Sequence, residues 1–392
     1  MQKTIFGNHE TDTLRQLDNC LKTGNVVGGV LCADGHYGYS QPVGGVIVYD
    51  GQISPSGVGY DIGCGNKAVK TNLRYDDIKD QLPQLMDQIK KAVVFGVGKR
   101  ATTTVDHALF DDDRWNVYKE IGKHEHDELK ALARKQLGTA GSGNHYVDLL
   151  VDEKTDEIWV GNHFGSRGLG HRTATGFLNL ANDRQFSDKA PRESMEQLPT
   201  LFDINSDLGQ MYFEAMTLAG TYAYAGRDYV MDTVLNILGA QSTLEVHNNH
   251  NYAWKEIHNS KEYIVVRKGA TPAAPGQLGF VGGSMGDISV ILRGVDSEKS
   301  RQAFYSTVHG AGRVMSRTKA AGRMNWRKRR RTGGAITEKM MNDAIKKYGV
   351  ELRGGGTDES PFVYRKLQSV LDAHEGTIEV LHRLRPIGVL MD

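Results

Sequence analysis

A carboxylate and a thiol lie close together in the glycine-rich stretch GVGYDIGCGNK, residues 57–67. Asp61 stands three residues before Cys64, with glycines at 57, 59, 63 and 65 around them. Because glycine lets the backbone turn sharply and approach a ligand closely, both side chains can converge on one metal ion, and a thiolate can also bridge two ions. A glycine turn around a buried structural cysteine explains this stretch equally well when it is taken alone.

Four histidines beside predicted turns favour the metal hypothesis: His145, His163, His250 and His309. The first three directly follow an asparagine, at 144, 162 and 249. A single histidine of this kind is more often a core or capping residue, but an asparagine can fix the orientation of a neighbouring imidazole ligand. By donor type, a Cys/His/Asp set suits zinc or iron. One carboxylate, one thiolate and three imidazoles suffice for two ions that share Cys64, an arrangement that clamps phosphoryl oxygens.

His309 has a different setting. We predict a helix over residues 297–309 that begins after Ser297 and ends at HGAGR. A neutral imidazole can attack phosphorus and form a phosphoramidate. A histidine at the C-terminal end of a helix is also favoured by the helix dipole alone.

The elements that must position these residues alternate without a steady strand–helix rhythm, which favours the α+β class and one integrated domain over residues 1–392. Predicted helices cover 11–22, 75–92 with an interruption at Pro83, 125–136, 205–239 as one long helix or a broken pair, 297–309, 337–348 and 362–374. Predicted strands cover 27–32, 44–49, 66–73, 243–254, 262–272 and 377–391, with another near 157.

Charge is spread unevenly along the chain. Residues 313–331 hold nine Lys or Arg and no acid, whereas the whole chain has a net charge of +1, so the rest carries −8. A basic segment on an otherwise acidic protein predicts a polyanionic partner. Three cysteines, no apolar leader and no apolar run of membrane-spanning length predict a cytoplasmic protein without a membrane partner.

Further motifs in the sequence are together typical of one protein family. They are DGHYGY (34–39), SPSGVGYDIGCG (54–65), GSGNH, HFGSRGLGH, the His-Asn pair at 250–251, RKGATPA (267–273), GGSMG, HGAGR and the terminal LRPIGV. In this order they resemble the RtcB-type RNA-splicing ligases over residues 27 to 390. The resemblance implies an RtcB-like domain with mixed β-sheets flanked by helices around a central metal cleft.

The resemblance also implies roles for individual residues. Asp61, Cys64 and His145 would hold one Mn²⁺, and Cys64, His163 and His250 a second. His309 would take GMP from GTP. Nucleotide-contacting positions would be Asn144, Asp148, Asn251, Ser284 and Tyr364. Positions facing RNA or phosphate would be Asp34, Arg313, Arg317, Arg327, Lys328 and Arg329.

The activity implied is GTP-dependent joining of an RNA 3′-phosphate or 2′,3′-cyclic phosphate end to a 5′-hydroxyl end, in RNA repair or tRNA splicing. A guanylylated histidine and a guanylylated RNA 3′ end would be the intermediates. A small activating protein of the archease type is a further implied partner.

Two positions depart from the family pattern. Asp148 stands where the family usually has Glu, and Met391 stands where a C-terminal Lys would contact the nucleotide. These departures leave two alternatives to the ligase: a two-metal phosphodiesterase or phosphatase on RNA ends, and a non-catalytic protein that binds RNA ends.

Overall fold

The computed structural model describes residues 2–190, 194–325 and 330–392. In chain order its strands are β1 (Gln2–Ile5), β2 (Val26–His36), β3 (Val43–Tyr49), β4 (Gln52–Ile53), β5 (Gly65–Arg74), β6 (Val94–Phe95), β7 (Thr139–Gly141), β8 (Tyr146–Asp152), β9 (Glu157–Phe164), β10 (Phe202–Asp203), β11 (Ser242–Asn249), β12 (Asn251–His258), β13 (Lys261–Lys268), β14 (Ala270–Pro272), β15 (Leu278–Val281), β16 (Ser289–Gly294), β17 (Ser306–Val308), β18 (Gly322–Asn325), β19 (Arg330–Gly333), β20 (Glu351–Arg353) and β21 (Ile378–Leu390).

The α-helices are α1 (Thr11–Leu21), α2 (Pro55–Val58), α3 (Tyr75–Ile78), α4 (Leu82–Ala92), α5 (Asn116–Ile121), α6 (Lys123–Gln136), α7 (Arg167–Leu180), α8 (Asp207–Leu238), α9 (Glu298–Gln302), α10 (Arg317–Ala321), α11 (Glu338–Tyr348) and α12 (Leu367–Ala373). Short 3₁₀ turns lie at Lys79–Gln81, Ala108–Asp111, Asp113–Trp115, Thr357–Glu359 and Pro361–Val363.

The larger sheet has the order β11-β5-β9-β8-β21-β16-β15, with β20 paired to β21, and its neighbours are antiparallel except at β20. Side chains alternate between its faces, as the pleat of a strand requires. Along β8, Val147, Leu149 and Val151 pack in the cluster that includes residues of α4 and α8, whereas Tyr146 and Leu150 pack in the cluster that includes residues of α11. Helices therefore cover both faces of this sheet.

A second sheet has the order β1-β2-β3-β13-β12. Its valines at 46, 48 and 265 pack with Val281, Val290 and Leu292 of the larger sheet, so the two sheets share one apolar cluster. Both sheets combine with flanking helices, which confirms the predicted α+β class with mixed sheets. The assignment of residues 1–392 to one domain stays a prediction.

The long helix α8 lies against the strands that carry the site. Its 32 residues give a length of roughly 48 Å, and it contacts β9 and β5. Ser206 caps its start by accepting the N–H of Gly209, and Gly239 ends it in a left-handed conformation with φ of 63°. The prediction over 205–239 is confirmed, with one continuous helix in place of a broken pair.

The predicted helix over 297–309 is wrong beyond its first turns. Ser297 caps α9 as expected, but α9 ends at Gln302. Phe304 and Tyr305 then adopt positive φ values of 45° and 46°, which breaks the helix, and the chain continues as β17. His309 therefore follows a strand, and the helix dipole does not explain its position.

Three other predicted elements are each divided into shorter elements in the structure. The strand over 243–254 breaks at His250, between β11 and β12, and the strand over 262–272 breaks at Gly269, between β13 and β14. The helix over 75–92 is split into α3, a 3₁₀ turn and α4, with Pro83 in the first turn of α4, where proline is tolerated. Among the described residues, no helix has both the length and the apolar composition needed to cross a bilayer.

Candidate active site

Four neighbouring strands of the larger sheet end at the same edge. Asn249, the last residue of β11, lies opposite Gly65, the first residue of β5, and Gly65 also lies opposite Phe164, the last residue of β9. Tyr146, the first residue of β8, lies opposite His163. This register brings His163, near the end of β9, together with residues just outside the other three strands: Cys64, His145 and His250.

The stretch before β5 is a tight turn against α8. The N–H of Cys64 donates to the carbonyl of Asp61 at 3.0 Å, and that of Gly63 donates to the carbonyl of Asn251 at 2.8 Å. Gly63 has a φ of 69°, and a Cβ there would lie 3.0 Å from the Cα of Gly220 on α8. Only glycine suits both this conformation and this close approach.

The predicted metal ligands form two groups that share Cys64. Ligand atoms of Asp61, Cys64 and His145 lie within 4.8 Å of one another, and so do those of Cys64, His163 and His250. Sγ of Cys64 lies 3.2 Å from Nε2 of His163 and 3.9 Å from Nε2 of His145. Nε2 of His145 lies 3.1 Å from Oδ2 of Asp61. The structure thus brings all five together, in the two sets that the family resemblance implies.

Hydrogen bonding and burial prepare these groups to bind a cation. Nδ1 of His145 donates to the carbonyl of Ala140 at 2.8 Å, which leaves Nε2 facing Asp61 and Cys64. Burial lowers the pKa of His163 and of His250 well below the usual value, so both imidazoles are neutral. Nδ1 of His250 is buried and has no hydrogen-bond partner among the described residues.

The two acidic ligands differ in protonation. Burial alone would raise the pKa of Asp61, but its hydrogen bond to His145 and the charge of that ring lower it to about 2. Burial raises the pKa of the Cys64 thiol well above its usual value, and the charge of Asp61 adds to this effect. A bound cation reverses such a shift because it favours the thiolate. One ionised carboxylate, two neutral imidazoles and a buried thiol therefore fit a two-ion centre.

His309 lies beside this centre. Its ring centroid is 4.9 Å from that of His250, and its Nδ1 is 2.6 Å from Oδ2 of Asp34. The same oxygen accepts the backbone N–H groups of His309 at 3.0 Å and Gly310 at 3.2 Å. Burial would raise the pKa of Asp34, but the charge and hydrogen bonds of His309 lower it.

Asp34 is the active-site acid that the resemblance implies, and its grouping with the residues that face RNA or phosphate stays a prediction. It is fully buried and holds His309 from behind. Nδ1 of His309 makes no aligned hydrogen bond with a described residue, so the 2.6 Å contact acts through the charge of the carboxylate. That charge favours the tautomer with its proton on Nδ1.

A cavity of about 370 Å³ opens in front of these residues. All five predicted nucleotide-contacting residues line it: Asn144, Asp148, Asn251, Ser284 and Tyr364. Arg313, Arg317 and Met391 line it as well. Oδ1 of Asp148 is buried without a hydrogen-bond partner among the described residues, and burial raises the pKa of this carboxyl well above its usual value. A ligand that donates hydrogen bonds would satisfy it.

The arginines of the cavity wall are paired with acids that sequence reasoning missed. Nη1 of Arg313 lies 3.3 Å from Glu359, and Nη1 of Arg317 lies 2.9 Å from Asp358 and also contacts Glu359. Glu359 accepts the hydroxyl of Tyr364 as well. In the sequence these two acids are visible only as the acidic pair in TDESP. The fold alone shows that this pair lies opposite Arg313.

The cavity also includes His36 and Lys268, which were not predicted, although both belong to motifs of the resemblance. Nζ of Lys268 donates to the carbonyl of Tyr39 at 2.5 Å. Arg327, Lys328 and Arg329 lie outside the described residues, so their predicted contact with RNA stays a prediction.

Comparison with known proteins supplies the family. The sequence model described as tRNA-splicing ligase RtcB matches residues 16–392. The chain belongs to the RtcB ligase family.

Individual RtcB proteins match over most of their length. The chain is 32% identical to "RNA-splicing ligase RtcB" of Escherichia coli strain K12, covering 96% of this chain and 93% of that protein. It is 31% identical to "tRNA-splicing ligase RtcB" of Methanococcus maripaludis, covering 100% and 93%. It is also 31% identical to the RtcB of Thermococcus kodakarensis, covering 92% and 86%. The resemblance expected from the motifs is thereby confirmed.

Proposed function

We propose that this protein is a GTP-dependent RNA ligase that joins a 3′-phosphate or 2′,3′-cyclic phosphate end to a 5′-hydroxyl end. The observation that carries the proposal is the position of His309, held by Asp34 on Nδ1 and lying 4.9 Å, ring to ring, from His250 of the candidate metal centre. The candidate nucleophile and both candidate sets of cation ligands lie beside one cavity, which supports the proposal. The names of the RtcB relatives support RNA as the substrate.

In this proposal Nε2 of His309 attacks the α-phosphorus of GTP. A nitrogen–phosphorus bond forms, the bond to the bridging oxygen breaks, and pyrophosphate leaves. Asp34 remains on Nδ1–H and stabilises the positive ring that results. The ring must be neutral before attack, and the Asp34 contact selects the tautomer with its lone pair on Nε2.

The later steps transfer this GMP. Water opens a cyclic phosphate end to a 3′-phosphate, whose oxygen then attacks the phosphorus on His309 and releases the imidazole. The 5′-hydroxyl of the second RNA attacks the activated 3′-phosphate, a phosphodiester forms, and GMP leaves. Arg313 and Arg317 lie on the cavity wall, where exchange of their carboxylate partners for phosphate would bind the RNA ends.

Two Mn²⁺ ions, one held by Asp61, Cys64 and His145 and one by Cys64, His163 and His250, would supply positive charge that offsets the charge on phosphoryl oxygens. Manganese is proposed from the family resemblance, since the donor types alone favour zinc or iron. We also propose the cytoplasm as the site of action, in keeping with three cysteines that are all free and buried. An archease-type activator remains part of the proposal.

The test is incubation with GTP labelled at the α-phosphate and Mn²⁺, followed by a denaturing gel. We expect a protein-bound label that survives base and is lost in acid, as a nitrogen–phosphorus bond requires. His309→Ala should abolish the label but leave metal content intact, whereas the matched surface variant His124→Ala on α6 should label like wild type.

One observation favours a second candidate, a two-metal hydrolase of RNA ends. Met391 places a thioether on the cavity wall where the family resemblance implies a nucleotide-contacting lysine. If the wild type opens cyclic phosphate ends but never takes label from GTP, the hydrolase is the correct function.

A further inference from the structure

Arg227, near the middle of α8, is fully buried. A buried guanidinium is costly unless its donors are satisfied. Nη1 donates to the carbonyl of Gly63 at 2.8 Å and to that of Phe164 at 2.6 Å. Nη2 donates to Oδ1 of Asn249 at 2.6 Å, and Nε donates to Nε2 of His247 at 2.8 Å. All four of these acceptors are neutral, so this is a network of positioned hydrogen bonds rather than an ion pair.

Three of the four acceptors belong to residues directly next to a predicted metal ligand. Gly63 precedes Cys64, Phe164 follows His163, and Asn249 precedes His250. These ligands lie at the ends of β5, β9 and β11, three neighbouring strands of the larger sheet. One planar group therefore reaches all three strand ends from the helix packed against them.

The backbone of residue 227 takes part too. Nδ2 of Asn162 donates to the carbonyl of Arg227 at 3.0 Å, and Asn162 directly precedes His163. Two of the three Asn-His pairs that stand out in the sequence thus bind residue 227, through Asn162 and Asn249. The third asparagine, Asn144, lines the cavity instead.

We propose that Arg227 is a positioning residue for one of the two metal sets, the one formed by Cys64, His163 and His250. Its guanidinium fixes the backbone segments that carry these ligands at a common spacing. This inference rests on the proposed two-metal function. Among the described residues, the hydrogen bonds of Arg227 reach none next to His145, so the other set should depend on it less and mainly through the shared Cys64.

The test uses Co²⁺ as the probe because a cobalt–thiolate bond gives a charge-transfer absorption and the visible bands report coordination geometry. The wild type should bind two equivalents. Asn249→Ala removes one acceptor of Arg227, and its matched control is Asn248→Ala. Asn248 is also buried on β11, but its Oδ1 accepts the N–H of Phe280 instead.

We expect Asn249→Ala to weaken the binding of one of the two Co²⁺ ions by about 10- to 100-fold. The visible bands of that ion should also change, because the variant loses a group that orients its ligands. Asn248→Ala should keep both equivalents. Arg227→Met should lose more Co²⁺ affinity than Asn249→Ala. Arg227→Lys should recover only part of it, since an ammonium lacks the planar fork. If Arg227→Met fails to fold, as judged by circular dichroism, Asn249→Ala and Arg227→Lys decide.

Wild-type affinity and spectra in both Asn249→Ala and Arg227→Lys would overturn the inference. An equal loss in Asn248→Ala would overturn it as well, because the effect would then come from general damage to the strand. A wild type that binds no Co²⁺ would overturn the two-metal centre itself and this inference with it. The wild-type titration thus separates failure of the proposed function from failure of the role of Arg227.

Discussion

The backbone carbonyl of Cys64 accepts a hydrogen bond from the backbone N–H of His250 at 2.8 Å. The same carbonyl accepts the N–H of Asn251 at 3.3 Å. Two proposed ligands from distant parts of the chain are therefore joined directly through their main chains. This junction fixes the backbone of Cys64 beside that of His250.

Cys64→Ala should remove both metal equivalents, because its sulfur belongs to both groups of ligand atoms. His145→Ala should remove only one, since His145 belongs to a single group. Elemental analysis of the purified proteins measures this directly. Loss of one equivalent in Cys64→Ala would mean that the thiolate does not bridge.

Asp34→Asn should slow guanylylation of His309 by about 10²- to 10⁴-fold. The amide would keep its oxygen on the backbone N–H groups of His309 and Gly310, but it lacks the negative charge that favours a proton on Nδ1 and stabilises the positive ring. The rate of labelling by GTP is the measurement, and metal content should not change. Labelling at the wild-type rate would show that the carboxylate does not select the tautomer.

The ion pair between the partly buried Glu256 and the buried Arg267 should make stability depend on acid pH. Burial would raise the pKa of Glu256, but the charge of Arg267, 2.5 Å away, and a hydrogen bond with His258 lower it to about 2. In the unfolded chain the pKa of Glu256 is 4.5, so its lower pKa in the fold stabilises the protein at pH values above 4.5. This stabilisation is lost as the pH falls from 4.5 toward 2. The contribution at neutral pH is about 3 kcal/mol.

Glu256→Gln should therefore lower the free energy of unfolding by about 3–5 kcal/mol at pH 7. The difference from wild type should shrink as the pH is lowered below 4.5. Urea titrations at a series of pH values give both quantities. Glu262→Gln, at an exposed position on the same hairpin, is the control and should change little.

Met391→Lys should raise the rate of guanylylation if the missing lysine limits it. Met391 is nearly buried and lines the same cavity as Asp148, whose carboxyl lacks a partner among the described residues. Met391→Leu keeps the volume and apolar character and should label like wild type. Equal rates in all three proteins would show that this chain does not need the lysine.

Replacing Arg327, Lys328 and Arg329 with glutamine should weaken RNA binding and flatten its salt dependence. Each lost contact with a single-stranded phosphate lowers the slope of log affinity against log salt by about 0.7. GTP labelling should not change. A matched variant with exposed Lys90, Lys91 and Lys99 replaced by glutamine should keep the wild-type slope.

Residue types and local spacing were enough to predict all five candidate metal ligands, because glycine turns and Asn-His pairs mark them in the sequence. The element before His309 was predicted wrongly. Two bulky aromatic residues, Phe304 and Tyr305, adopt left-handed φ values that local propensity does not favour. Arg227 was missed for another reason: an arginine within a helix is normally on the surface, and only the packing of α8 against three strand ends reveals its contacts.

The strand order β11-β5-β9-β8 also bears on how the protein matures during synthesis. Asp61, Cys64 and His145 all emerge from the ribosome early, whereas the second set waits for His250, and His309 comes later still. The segment between β5 and β11, which includes β8, β9 and α8, must be made before β11 can pair with β5, and contacts between residues so far apart in the chain form slowly. In the proposed two-metal function, the first set of ligands would therefore form before the second, and His309 would follow both in the order of synthesis.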